Sequence, residues 1–166
     1  MTPKAPAGKP VRESQITMTE MVLPPDTNAL GTIFGGKVMA WIDIAAAMAA
    51  GRHARSIVVT ASIDALHFIK SVKLGEYVHI QASVNYAGRT SMEVGVRIES
   101  ENHLTGERKH AASAYLTFVA LDAAGVPQAV PPVLPESPVE KRRFEAAKKR
   151  REARVKLAEA LKQAEA

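Results

Sequence analysis

Asp43 stands in the middle of Val38 to Ala50, a stretch otherwise made of Ala, Met, Ile and Trp. A carboxylate in so apolar a helix is seldom buried without a partner or a purpose. Two readings stand side by side. The group does chemistry, or it caps a neighbouring loop or pairs with a lysine. Seven residues earlier, Gly35-Gly36 open the same helix. A helix that starts on glycines offers bare backbone N–H groups to an anion or a polarised carbonyl. Glycine also lets a ligand come close to the backbone. Asn28 follows Pro24-Pro25-Asp26-Thr27, and on its own it reads as a turn residue.

Other chemistries lack their residues. The five histidines, 53, 67, 79, 103 and 110, have no metal-ligand spacing and no acidic cluster beside them, so no metal site is expected. There is no G-x-S-x-G and no phosphate-cradling Walker loop. The absence of cysteine excludes disulfides and thiolate catalysis, and points to a reducing compartment. Gly88-Arg89-Thr90-Ser91 reads first as a hairpin turn.

The elements that must position these residues follow from pattern. Residues 1–10, rich in Pro, Lys, Ala and Gly, read as disordered. Residues 12–23 loosely alternate and read as a first strand, and Pro24-Pro25 ends it. The helix spans Val38 to Ala50, with Gly51 as its C-terminal cap and Arg52, His53 and Arg55 at its negative end. Ile57 to Lys70 is long and β-branched. Val78 to Tyr86 and Met92 to Ile98 alternate cleanly, and Arg108 to Asp122 is a last long strand. The result is β-α-β-β-β-β, one antiparallel sheet of about five strands with one helix against it. One Ala-rich helix is thin cover for such a sheet, so the helix should be wrapped by it. Long apolar edges invite pairing with a second copy.

The chain has 166 residues, is 46% hydrophobic and 23% charged, and carries a formal charge of +5. Residues 136–166 hold ten Lys/Arg and six Glu, leaving twelve Lys/Arg and eleven Asp/Glu for the rest. The folded body is thus nearly neutral, which argues against a nucleic-acid enzyme. The tail, free of Gly, should be a separate helical unit, a solvated, oligomer-supporting or partly frayed helix rather than a nucleic-acid or membrane-surface one, and the charge split makes it dispensable for chemistry. No apolar run reaches the length of a membrane span, and the first ten residues lack a signal-peptide core. A cytoplasmic location is expected.

The stretch DTNALGTIFGGKVMAWIDIAAAMAA at 26–50, with FIK at 68–70, GRTSMEV at 88–94 and TFVALD at 117–122, resembles the hotdog-fold acyl-CoA thioesterases. It is most similar to bacterial broad-range acyl-CoA hydrolases and related cytosolic eukaryotic long-chain enzymes. The resemblance covers roughly residues 12–130. It implies an α+β hotdog fold, an antiparallel sheet wrapped around one long central helix, to which this chain adds a C-terminal charged helix. The division is a disordered N-terminus (1–11), the hydrolase domain (12–130), then a Pro-rich linker and basic helix (131–166). The family hydrolyses acyl-CoA to a free fatty acid and CoA without a cofactor. Its members form homodimers, commonly three dimers to a hexamer.

The resemblance also implies roles. The family's catalytic carboxylate falls on Asp43 and its asparagine on Asn28. The Gly-Gly turn falls on Gly35 and Gly36. Phe34 stands where many relatives carry His, and Ser71 where the FIKP motif has Pro. In this reading the Gly36 N–H polarises the thioester carbonyl. Asp43 is general base or nucleophile, and Asn28 orients water or thioester. Gly35, Lys70, Arg89, Thr90 and Ser91 bind CoA, whose phosphates suit Arg89 and the two hydroxyls that follow it. Asp43 is about 10 Å along the helix from Gly36, so a site needing both must draw them from two helices, as a dimer does. The competing readings are a hotdog dehydratase or hydratase on acyl thioesters, which lacks its His in 26–50, and a non-enzymatic binding module using the basic tail.

Overall fold

Apolar side chains at every second position of three long strands build one wall of the core. β5 (Tyr77–Ala87), β6 (Ser91–Glu101) and β7 (Arg108–Leu121) pair as antiparallel neighbours. Their inward residues, among them Val78, Ile80, Val94, Ile98, Leu116 and Phe118, are buried. The computed structural model describes residues 6–64 and 66–164. β2 (Ile16–Met21) joins the outer side of β5, and β3 (Ile57–Ile63) forms the other edge against β7. The sheet order is β2-β5-β6-β7-β3, with the short β4 (His67–Phe68) also on β7.

β3 and β4 together are the single long strand expected at 57–70, bent rather than continuous. Ile63 faces Leu116 and His67 faces Ser113, so one extra residue lies between them on the β3–β4 side. The Asp64 N–H donates to Tyr115 O at 2.9 Å inside this bulge.

α1 (Gly35–Ala54) crosses the concave face and touches β2, β3, β5, β6 and β7. Ala45, Ala46, Ala49 and Ala50 are fully buried, and these small side chains bring the helix axis close to the sheet. The helix runs past the expected cap. Gly51 lies inside it, and the left-handed residue that ends it is Arg55, with φ 51° and its N–H on Gly51 O at 2.8 Å. The extra turn buries His53, whose Nε2–H donates to Pro131 O at 2.7 Å.

The two ends of the domain meet beside that histidine. β1 (Lys9–Pro10) pairs in parallel with β8 (Val133–Leu134), and Lys9 Nζ donates to His53 O at 2.8 Å. Val11 is buried. The expectation of disorder over 1–11 therefore fails at residues 9–11, because the linker supplies the backbone partners. Its first five residues lie outside the described residues.

α2 (Pro138–Ala164) is one continuous helix, but not the separate, solvated unit expected. Its first half lies on the outer face of the sheet. Phe144 packs on Tyr86 with ring centroids 5.2 Å apart, and Ala147 is fully buried. Arg150 stacks on Tyr115 and holds Glu93 through two guanidinium nitrogens, Nη2–Oε1 2.7 Å and Nε–Oε2 3.1 Å. Glu93 is 2% exposed, so this is a buried, charge-assisted, forked pair. From Val155 onward the described part of the helix is exposed.

Candidate functional site

Asp43 sits half-buried two turns into α1. The Thr60 hydroxyl of β3 donates to its Oδ1 at 2.7 Å. No lysine or arginine pairs with it among the described residues. This removes the ion-pair reading of Asp43 and leaves a carboxylate oriented by one neutral hydroxyl with the other oxygen free. Thr60 was missed in the sequence. A threonine in a β-branched run reads as strand propensity, and only the register that sets β3 beside α1 reveals its partner.

The start of α1 has the expected free amides. Lys37 is the first of its amides to find a helical acceptor, Phe34 O at 2.9 Å. The Gly35 and Gly36 N–H groups have no acceptor among the described residues. Gly36 also leaves room for the Phe34 ring as it stands, since a Cβ there would be 2.4 Å from it and the exposed ring would have to turn aside. The loop before it is held by Phe34 N–H on Asp26 O at 2.7 Å and by Lys37 Nζ on the Asp26 carboxylate at 3.2 Å.

Beside these amides lies a cavity of about 340 Å³. Gly35, Val38, Phe68, Ile69, Ile98 and Ala112 line most of it, and Lys70 stands among the lining residues. A larger cleft of about 530 Å³ lies between α2 and the outer face of the sheet. It is lined by Arg97, Arg142, Arg143 and Arg150 with Asn85 and Ser113, and by none of the residues singled out from the sequence.

Asn28 is exposed and locally employed. Its Oδ1 accepts from the Leu30 and Thr32 N–H groups at 2.9 and 3.3 Å, and its Nδ2 donates to Thr32 Oγ1 at 3.0 Å. That is the turn role its surroundings predicted. Within one chain its carboxamide has no contact with Asp43.

Arg89, Thr90 and Ser91 do form the β5–β6 turn. Gly88 N–H donates to Ser91 O at 2.8 Å, and Arg89 O and Thr90 O accept from Val130 and Ala120. The Arg89 side chain is exposed with no partner among the described residues. Ser91 and Ile98 are seven residues apart on β6, about 23 Å at strand rise. Within one chain the turn is therefore at the far end of the sheet from the cavity that holds Gly35 and Lys70. The chain thus presents three separate pieces: Asp43 with Thr60, the Gly35-Gly36 amides with their cavity, and the Arg89 turn.

An apolar band runs past the first two. Ile57, Val59 and Ile63 on β3 are 62, 43 and 39% exposed, and Met39, Ile44 and Met48 on α1 are 43, 50 and 40% exposed. β3 is a sheet edge. An edge strand this apolar, flanked by an apolar helix face, is unusual on an isolated domain.

Residues 30–107 match the family described as the Thioesterase superfamily. The uncharacterized acyl-CoA thioester hydrolase YkhA of Bacillus subtilis is 45% identical over 126 residues, which cover 76% of this chain and 73% of that protein. The cytosolic acyl coenzyme A thioester hydrolase of Mus musculus is 34% identical over 87% of this chain, but the chain spans only 39% of its length. Among solved structures, an apo-hexameric acyl-CoA thioesterase is 50% identical with a TM-score of 0.90, covering 92% of this chain and 98% of the other. An acyl-CoA hydrolase from Staphylococcus aureus, solved with butyryl coenzyme A, coenzyme A and coenzyme A disulfide, is 44% identical with a TM-score of 0.88, covering 93% and 94%.

Proposed function

Because this chain belongs to the Thioesterase superfamily and is an acyl-CoA thioester hydrolase of the hotdog fold, we propose that its active site is completed only between two copies. One observation carries this reading. Asp43 and the free Gly35-Gly36 amides lie on one helix, Gly36 and Asp43 about 10 Å apart along its axis. A thioester carbonyl cannot be polarised by one and attacked from the other unless a second copy supplies one of them. The apolar edge formed by β3 and α1 is the surface on which that copy docks. The hexameric relative supports a homo-oligomer of this kind.

In this arrangement the Gly36 N–H of one copy holds the thioester oxygen as it gains charge. Asp43 of the other copy takes a proton from the water that attacks the carbonyl carbon, or attacks that carbon itself to give an anhydride that water then hydrolyses; on either route the acyl C–S bond breaks and CoA leaves as its thiol after taking up a proton. The free oxygen of Asp43 does this work while Thr60 fixes the other. Asn28 turns outward from its loop and orients water or thioester. The apolar cavity at Gly35, Phe68 and Ile69 takes the acyl chain, with Lys70 at its rim facing the coenzyme. Arg89, Thr90 and Ser91 of a neighbouring copy bind CoA phosphate.

The test is rescue between two inactive variants. Asp43→Ala and Asn28→Ala each lose several orders of magnitude in turnover. If one site takes Asp43 from one subunit and Asn28 from its partner, a mixed dimer has one intact site and one doubly substituted site. Random pairing makes about half the dimers mixed, so about a quarter of wild-type thiol release returns on co-expression. No recovery in demonstrably mixed oligomers means that both residues act within one chain.

A further inference from the structure

We infer that α2 is a strap that sets the acyl-cavity wall from the far side of the sheet, with Arg154 as its positioning residue; this rests on assigning that cavity to the acyl chain. Arg154 Nη1 donates to Asp64 Oδ2 at 2.7 Å and to Glu93 Oε2 at 3.3 Å. Phe144, Ala147, Arg150 and Arg154 are three or four residues apart, so all four anchors share one helix face. Glu93 is the fixed point, since it is buried and already forked by Arg150. Arg154 extends that fixed point to Asp64.

What it holds there matters more than the ion pair itself. Asp64 is the first residue after β3 and begins the bulge that leads into β4. Upstream on the same strand is Thr60, which orients Asp43. Downstream are Phe68, Ile69 and Lys70, which line the cavity beside the Gly35 amide. Among the described residues, Arg154 is the sole hydrogen-bond partner of the Asp64 carboxylate. Among the described residues the bulge has the backbone bond from Asp64 N–H to Tyr115 O, and beyond β4 Ile69 and Lys70 N–H donate to Ala111 O at 2.7 and 3.3 Å. Asp64, at the junction between β3 and β4, is therefore held by a side chain ninety residues away in sequence. Both ions are about a quarter exposed, at 27 and 21%, so the pair adds little to global stability. Its effect is on position.

The experiment measures Arg154→Ala, Arg154→Lys and Asp64→Asn by two independent readouts. The first is hydrogen–deuterium exchange of the unliganded, full-length protein. Arg154→Ala and Asp64→Asn speed exchange at least fivefold in residues 63–70, leave β5 and β6 unchanged, and shift the melting temperature little. Arg154→Lys recovers part of the protection. The second is kcat/KM for butyryl-CoA against palmitoyl-CoA. The ratio between the two substrates changes severalfold in both disruptive variants, with the change concentrated in the longer chain. Combining Arg154→Ala with Asp64→Asn adds nothing further. Unaltered exchange at 63–70 overturns the strap. Altered exchange with an unaltered chain-length ratio overturns its role in positioning the cavity. A wild-type protein that ignores acyl-CoA altogether removes the acyl assignment, while the exchange result still decides whether α2 holds the bulge.

Discussion

A neutral hydroxyl on Asp43 is a different control from the lysine that one reading of the sequence allowed. A salt bridge holds a carboxylate in its ionised form and competes with any proton it must accept. Thr60 orients one oxygen and leaves the other without a partner among the described residues. Thr60→Ala should therefore lower kcat about tenfold with KM nearly unchanged, whereas Asp43→Ala, on the role proposed for it, should remove the reacting group and cost several orders of magnitude. Steady-state kinetics on a short acyl-CoA separates the two. His53 makes a second prediction at this scale. Burial pushes its pKa below 6.5, reinforced by Lys9 and opposed by the Pro131 carbonyl and Glu13. The folded protein thus holds His53 neutral where the unfolded chain accepts a proton. That contribution to stability is complete above about pH 6.5 and is lost as pH falls from there toward the lowered folded value. Melting temperature should drop more between pH 7.5 and 5.5 in the wild type than in His53→Gln. Asp43 and Gly36 were legible as residues because their types were out of place in an apolar helix. Glu93 was not, since a charge at an alternate position of a strand reads as solvent-facing until a helix is known to cover it.

The elements were legible where one physical rule acts alone and obscured where two compete. β5 and β6 keep their alternation on the face that packs on α1, but Ser83, Asn85 and Glu93 on the opposite face are buried as well, where α2 lies on the sheet. The end of α1 does not follow its glycine. Burial of His53 outweighs the cap preference of Gly51 and carries the helix four residues on, to a left-handed Arg55. The two residues are thus each in the other's favoured place. A Cβ on Gly51 meets nothing within 4 Å, so Gly51→Ala should stabilise by about 1 kcal/mol. Arg55→Gly relieves the left-handed strain by a similar amount. Thermal unfolding should show both, each as a rise of about 2–4 °C. A drop in either variant would mean that these positions serve the contact between copies. The break in 57–70 had no signature in propensity at all. It comes from the register on β7 and from a charge whose partner lies in the last helix.

At the scale of the whole molecule, charge counting separated tail from body correctly in sign and misleadingly in role. The excess positive charge does reside in residues 136–166, yet two of its arginines are committed to Glu93 and Asp64. Composition shows how many cations a helix carries but not which of them are neutralised across the sheet. A chain ending at Lys156 keeps every anchor and should match the full protein in melting temperature and thiol release. A chain ending at Pro135 exposes Tyr86, Tyr115 and Glu93 and should lose both stability and discrimination between acyl lengths. Equal behaviour of the two truncations would return α2 to the accessory role its charge first suggested. None of the described helices is long and apolar enough to cross a membrane, so neither truncation disturbs a membrane anchor among them.

The distance in sequence between Asp64 and Arg154 also has a meaning in time. A ribosome adding about 5–20 residues per second delivers Arg154 roughly 5–18 s after Asp64, because ninety residues separate them. Because β3 pairs with β7, the sheet edge can form only once Leu121 is made, which leaves a window of roughly 2–7 s in which the edge exists and the strap does not. If copies dock through this edge, as proposed, they can do so in that window, before Arg154 arrives to hold Asp64.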